Sequence, residues 1–199
     1  QHRKVKPAVT ILLTPFHDLF IHDYMLPTGN LREPRTGSKR AHCLVVTKCP
    51  PRVPYSKLQE IELNLPIYNH QKLYFSAIAY ASEIYSTTET VMLDYLNDKP
   101  FTLVTGIADP SPLLHFLTEK NYSFTHLRFP DHHQFTETDI ARLEQEEIIL
   151  TTEKDFMRLR SRIQKYALYY LPIETIILKE QAEFFEEFIK KSIDKKRLG

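Results

Sequence analysis

The sequence predicts an α/β fold, a mostly parallel sheet flanked by helices, and three observations carry that prediction. From residue 99 onward, short apolar runs alternate with helix-period segments, the order required by a parallel sheet with right-handed crossovers. Helix starts are written where those runs end: Thr136-Glu137-Thr138-Asp139 has capping-box spacing, and Asp109-Pro110 offers an N-cap followed by a first helical residue. The 199-residue chain, 42% hydrophobic and 26% charged, is long enough to bury a core.

Taken in order, Ala8-Val9-Thr10-Ile11-Leu12-Leu13 and Cys43-Leu44-Val45-Val46-Thr47 are short apolar runs of buried-strand type. The connection between them lacks helical periodicity. It carries Leu31-Arg32-Glu33-Pro34 and then Arg35, Lys39 and Arg40, either a phosphate-holding cluster or a solvated loop. Within it, Thr36-Gly37-Ser38-Lys39 lacks the upstream glycine of a Walker A loop. Residues 56–65 suggest a helix, residues 73–80 a strand, and residues 81–96 leave room for a hairpin. Phe101-Thr102-Leu103-Val104-Thr105 is a strand. A helix through Leu113, Leu114 and Leu117 follows, then a strand over residues 122–129, a helix covering Ile140 and Leu143, and a strand over 147–151. A helix opens at Thr152-Glu153-Lys154-Asp155, late strands cover 166–171 and 175–178, and an amphipathic helix closes the chain over 181–195. Phe184, Phe185, Phe188 and Ile189 are expected on its apolar face.

A net charge of +1 gives no global argument for nucleic acid, so any anion site must be local. Cys43 and Cys49 suggest neither a disulfide framework nor a metal knuckle and fit a reducing compartment. No apolar run approaches the roughly 18 residues of a membrane span, and no signal peptide is expected. The chain opens on Gln1-His2-Arg3 rather than Met and holds four glycines against thirteen prolines. The expectation is that the front of a longer protein precedes it.

Parallel strands share a direction, so their carboxyl ends form one rim, where open α/β sheets bind ligands. That rim collects Gly106-Ile107-Ala108-Asp109, Asp131-His132-His133 and Thr151-Thr152-Glu153-Lys154-Asp155. A histidine there can serve as general base when a carboxylate fixes its tautomer; equally, Asp131 can cap the turn while a histidine packs. A metal site would need further ligands, which neither His17 and His22 nor the cysteines supply. Thr152 and Asp155 have capping-box spacing and therefore an architectural reading, with Lys154 solvated, and Gly106 permits a close backbone turn.

Five motifs in one order, Gln1-His2-Arg3, Leu31-Arg32-Glu33-Pro34, Gly106-Ile107-x-x-Pro110, Phe129-x-Asp131-His132-His133 and Thr151-Thr152-Glu153-Lys154-Asp155, resemble the carboxy-terminal two-thirds of the tetraacyldisaccharide 4'-kinase family. The resemblance covers most of the chain. It implies a P-loop, Rossmann-like sheet with a small β-ribbon corresponding to part of residues 73–85. The implied organisation is a P-loop-core remainder with a substrate loop over 1–72, a ribbon or linker over 73–98, and an α/β lobe over 99–199.

The implied activity is transfer of the ATP γ-phosphoryl group, with Mg²⁺, to the 4'-hydroxyl of a disaccharide lipid in lipid A biosynthesis. It is placed at the cytoplasmic face of the inner membrane of Gram-negative bacteria. The family's Gln-His-Arg ends an Asp-Asp-Gly-Phe-Gln-His-Arg segment, so the resemblance puts the phosphate-cradling loop, its lysine, the paired aspartates and the membrane-associating helix upstream of Gln1. By position, His132 partners a catalytic aspartate from that upstream half, and Asp131 is its neighbour. Gln1 and His2 line the cleft, and Arg32 and Glu33 contact the disaccharide lipid. The competing readings are a metal-dependent phosphoesterase of Asp-His-His type and a non-catalytic α/β binding lobe.

Overall fold

A computed structural model describes residues 7–164 and 167–197. Its elements run β1 (Ile11–Pro15), a 3₁₀ turn (Arg35–Arg40), β2 (Cys43–Cys49), α1 (Tyr55–Asn64), β3 (Lys72–Tyr80), β4 (Glu83–Tyr85) and β5 (Thr90–Met92). After a second 3₁₀ turn (Leu93–Leu96) come β6 (Phe101–Thr105), α2 (Ser111–Glu119), β7 (Phe124–Arg128), α3 (Glu137–Leu143) and β8 (Ile149–Thr152). The chain continues as α4 (Glu153–Leu159), β9 (Leu168–Leu171), β10 (Ile173–Ile177) and α5 (Ala182–Arg197).

Two compact units result, residues 1–79 with 175–199 and residues 80–174. This partition differs from the sequence-based one at 72 and 98. The difference arises because β10 joins the sheet of β1, β2 and β3, which returns the chain's last segment to the first unit.

In the first unit the strand order is β1-β2-β3-β10, with β1, β2 and β3 parallel. β2 is buried on both faces, as a central parallel strand must be. Leu44, Val46 and Phe75 face Leu58, Ile61 and Leu65 at α1 and its end; Cys43, Val45 and Tyr74 face Ile177, Phe185 and Phe188. Phe185 packs edge-on to Tyr74 at 4.9 Å, whereas Phe184, expected on the same apolar face, is 65% exposed. The contact stripe of α5 is set by Phe185 and Phe188, three residues apart, and Phe184 falls to its side. Both cysteines are free and buried, and burial pushes each thiol up to about 11.

In the second unit the order is β5-β4-β9-β8-β6-β7. β7, β6, β8 and β9 are parallel; β4 pairs antiparallel with β9 and with β5. β6 is buried at all five positions. Its Phe101 and Leu103 face Leu113 and Leu117 of α2, and its Val104 faces the other side, where α3 supplies Ile140 and Leu143 and α4 supplies Phe156 and Leu159. The protein is therefore an α/β fold of mostly parallel sheets flanked by helices. The β4–β5 hairpin is the small ribbon, at residues 83–92, while the rest of the expected 73–85 stretch largely belongs to β3. The late strand expected from Tyr166 starts at Leu168, and Tyr166 lies outside the described residues.

Candidate functional site

The three rim loops of the second unit come together as the parallel register demands. β6 ends at Thr105, paired with Arg128 of β7, and Val104 pairs with Thr151 of β8. The carboxyl ends of all three strands therefore present Gly106, Asp131-His132 and Thr152-Asp155 on one edge.

Asp155 anchors this edge. Its side chain is fully buried. Oδ2 accepts the Gly106 amide and the Thr152 hydroxyl, both at 2.8 Å, while Thr152 Oγ1 accepts the Asp155 amide at 3.3 Å as N-cap of α4. Asp155 thus does more than the capping role its spacing announces: its carboxylate ties α4 to the loop after β6. Glycine at 106 suits this approach, since a Cβ there would lie 3.0 Å from Asp155 Oδ1 and 3.5 Å from the Pro130 carbonyl oxygen.

Beside this anchor the Asp131-His132 turn stands out toward solvent. Asp131 Oδ1 accepts the Lys154 ammonium at 2.9 Å and its neighbour's amide, that of His132, at 2.9 Å. The Lys154 hydrogen bond, aided by the charges of His132 and Lys154, holds the Asp131 carboxyl below the usual carboxylate range. His132 adopts a left-handed backbone, φ 59°, unusual for a non-glycine residue and a pointer to function when found at a site. Its ring is 73% exposed, Nε2 lies 3.6 Å from Asp131 Oδ2, and Nδ1 lies 3.3 Å from Arg158 Nη2.

His133 is a different case. Its ring stacks on Phe129 at 4.8 Å, meets Phe135 edge-on, and its Nε2 is 2.9 Å from Asp139 Oδ2. Asp139 is the far member of the capping box of α3, taking the Thr136 amide at 2.7 Å. Of the two histidines, His132 faces solvent and His133 is the packing residue.

The Asp139 contacts predict a pH dependence. The Thr136 amide, then His133, depress the Asp139 carboxyl to about 2 from an ordinary value of 3.8. A depressed acid stabilises the fold above its unfolded value and stops doing so as pH falls through its folded one. The stability difference between the wild type and Asp139→Asn, followed by urea titration, should shrink as pH is lowered from about 4 toward 2. A difference constant across that window would remove Asp139 from the acid response.

Lys154, read from sequence as solvated, is a partner of Asp131, and Arg158 was not singled out at all. The signal was available: residues 154 and 158 are four apart on one helix and so share a face. Two open depressions flank the turn. One of about 570 Å³ is lined by His132, His133, Gln134, Phe135, Arg158 and Arg162, and one of about 440 Å³ by Ile107, Ala108, Arg128, Phe129, Pro130 and Asp131. Arg162 is tied to the Phe135 carbonyl and to Glu137. Asp109 is not the N-cap of α2. Pro110 takes that position, and Asp109 Oδ1 accepts the Ser111 amide at 3.0 Å one step earlier in the turn.

In the first unit, the long connection is ordered by turns. Asp23 Oδ1 accepts the amides of Tyr24 and Asn30, Arg35 donates to the Asp23 carbonyl, and Gly29 sits where a Cβ would lie 2.3 Å from the Tyr24 carbonyl oxygen. Arg32 is exposed; Glu33 pairs with Arg40, whose guanidinium holds the Glu33 carboxyl below its usual range. Gln1 and His2 lie outside the described residues. Among the described residues no three His, Cys, Asp or Glu side chains are grouped to hold a metal ion, and no helix is long and apolar enough to cross a membrane.

Fold and rim together define an α/β protein whose polar site is built at the carboxyl ends of parallel strands. The chain belongs to the tetraacyldisaccharide 4'-kinase family, whose model, "Tetraacyldisaccharide-1-P 4'-kinase", matches residues 1–194. A tetraacyldisaccharide 4'-kinase of Flavobacterium johnsoniae is 40% identical over 98% of this chain and 58% of its own length. One of Flavobacterium psychrophilum is 41% identical over 95% and 56%. A crystal structure of LpxK from Aquifex aeolicus in complex with ATP superposes with a TM-score of 0.69 at 26% identity, covering 98% of this chain and 54% of that one. The chain thus spans little more than half the length of the relatives it matches.

Proposed function

We propose that this chain is the carboxy-terminal part of an ATP-dependent kinase that phosphorylates the 4'-hydroxyl of a tetraacyldisaccharide 1-phosphate, a step of lipid A biosynthesis. The observation that carries the reading is the exposed Asp131-His132 turn, set on a strand-end rim, in a chain that matches the family over residues 1–194. In this reading His132 partners an aspartate base and Asp131 fixes the turn through Lys154. Arg32 and Glu33 contact the lipid's sugar and phosphate groups, and Gln1 and His2 line the cleft.

The cofactors are ATP and Mg²⁺. The described residues offer no donor cluster for the cation. The family reading assigns its ligands and the phosphate-cradling P-loop to the length of the relatives that this chain does not span. When bound, the cation and loop would neutralise the transferring phosphoryl group, which is most of the work in phosphoryl transfer. The chain's own contribution is to orient the partner of the base. The P-loop, Rossmann-like assignment of the whole sheet, contact with the membrane surface through an amino-terminal region, and a place at the cytoplasmic face of the inner membrane follow from the same reading.

The test is direct. The full-length protein should turn over ATP in the presence of the disaccharide lipid and Mg²⁺, and the 199-residue chain by itself should not. Turnover by the chain alone would overturn the division of labour, and absence of lipid-dependent turnover by the full-length protein would overturn the kinase reading.

A further inference from the structure

We infer that Arg158 is a positioning residue for His132: its guanidinium occupies Nδ1 of the ring and fixes the imidazole as the tautomer that carries its proton on Nε2. The link to catalysis rests on the kinase reading, whereas the tautomer itself does not.

Nη2 of Arg158 lies 3.3 Å from Nδ1 of His132. A guanidinium has five N–H donors and no acceptor, so in this contact Nδ1 must be the lone-pair nitrogen. Which ring nitrogen of a histidine keeps its proton is set by the bond the other one makes. The neutral ring therefore carries its proton on Nε2, the nitrogen 3.6 Å from Asp131 Oδ2. Because the ring is 73% exposed, packing alone leaves it free to rotate.

Arg158 is itself held. Its Nη1 is buried and lies 3.6 Å from Oδ1 of Asp155, three residues back on α4, and neither atom has a hydrogen-bond partner. That contact is a charge pairing across a short gap, and Asp155 is in turn locked by Gly106 and Thr152. The order of restraint runs from the loop after β6, through a fully buried carboxylate and a part-buried guanidinium, to an exposed ring. A ring held this way presents an N–H outward and has no lone pair there to take a proton. That is the polarity needed to hold a neighbouring carboxylate in place, and the wrong one for the ring to act as base through Nε2.

The experiment is ¹⁵N-histidine spectroscopy of the full-length protein, at a pH where the ring is neutral, with His132→Asn identifying the signals. In the wild type, Nδ1 of His132 should resonate as unprotonated and Nε2 as protonated. In Arg158→Met, which keeps an unbranched apolar stem and removes the donors, both should move toward the averaged positions of free imidazole. Arg158→Lys, which restores a cationic donor group, should return most of the shift. Identical spectra for wild type and Arg158→Met would overturn the inference. In turnover assays Arg158→Met should lower kcat about tenfold with KM unchanged, the scale of losing an orienting partner, and Arg158→Lys should recover part of it. A tautomer change with kcat unaltered would overturn the role in the reaction. A full-length protein without kinase turnover would sink the kinase reading while leaving the spectroscopic result to stand on its own.

Discussion

Replacing His132 with alanine in the full-length protein should lower kcat by about 10–100-fold, the scale of losing the partner that orients a catalytic group, while KM changes little. The proposed role is orientation and polarisation of a base, exerted in the transition state more than in substrate binding. Backbone conformation complicates the alanine variant, because φ is 59° at this position and a Cβ-bearing residue without a polar side chain is strained there. His132→Asn separates the two effects. Asparagine tolerates the left-handed region yet cannot replace the imidazole, so its kcat should fall as far as that of alanine. An asparagine variant with wild-type kcat would reduce His132 to a turn residue. Stability offers a second control: with its ring mostly exposed, His132→Asn should unfold within about 0.5 kcal/mol of wild type.

The largest stability effect should come from Asp155. Removing its carboxylate in Asp155→Ala leaves the buried Gly106 amide without its acceptor, the Thr152 hydroxyl without its partner and the Arg158 guanidinium without its counter-charge. An orphaned buried amide and an uncompensated part-buried cation together cost about 3 kcal/mol or somewhat more. Asp155→Asn keeps one acceptor oxygen and loses the charge, so it should fall between alanine and wild type. Denaturant unfolding followed by a probe in the second unit would measure both. An alanine variant within about 0.5 kcal/mol of wild type would mean that the rim does not depend on this residue.

Much of the second unit was legible because its strands and helix caps are written in short-range patterns. Phe101-Thr102-Leu103-Val104-Thr105 reads as a strand and is one, and the Thr136–Asp139 capping box is present with both of its bonds. What sequence could not give is which polar groups meet once strand ends converge. Asp155 satisfied a local rule, and nothing in its spacing told that its carboxylate would cross to Gly106, 49 residues away in sequence. The pairing of Lys154 with Asp131 is similarly long-range, and Arg158 became visible only when α4 was placed against the turn. The first unit was less legible for another reason. Its last strand and helix arrive from the far end of the chain, and no local pattern announces that β10 will lie beside β3.

Cys43 and Cys49 are the chain's two cysteines, and both sit within β2 of the first unit, with thiols that burial keeps protonated near neutral pH. A thiol reagent can reach them only through an opening of that unit, because the thiolate is the reacting species and the native environment suppresses it. The second unit, residues 80–174, contains no cysteine. Alkylation kinetics therefore report the openings that expose β2, a native readout that needs no engineered label.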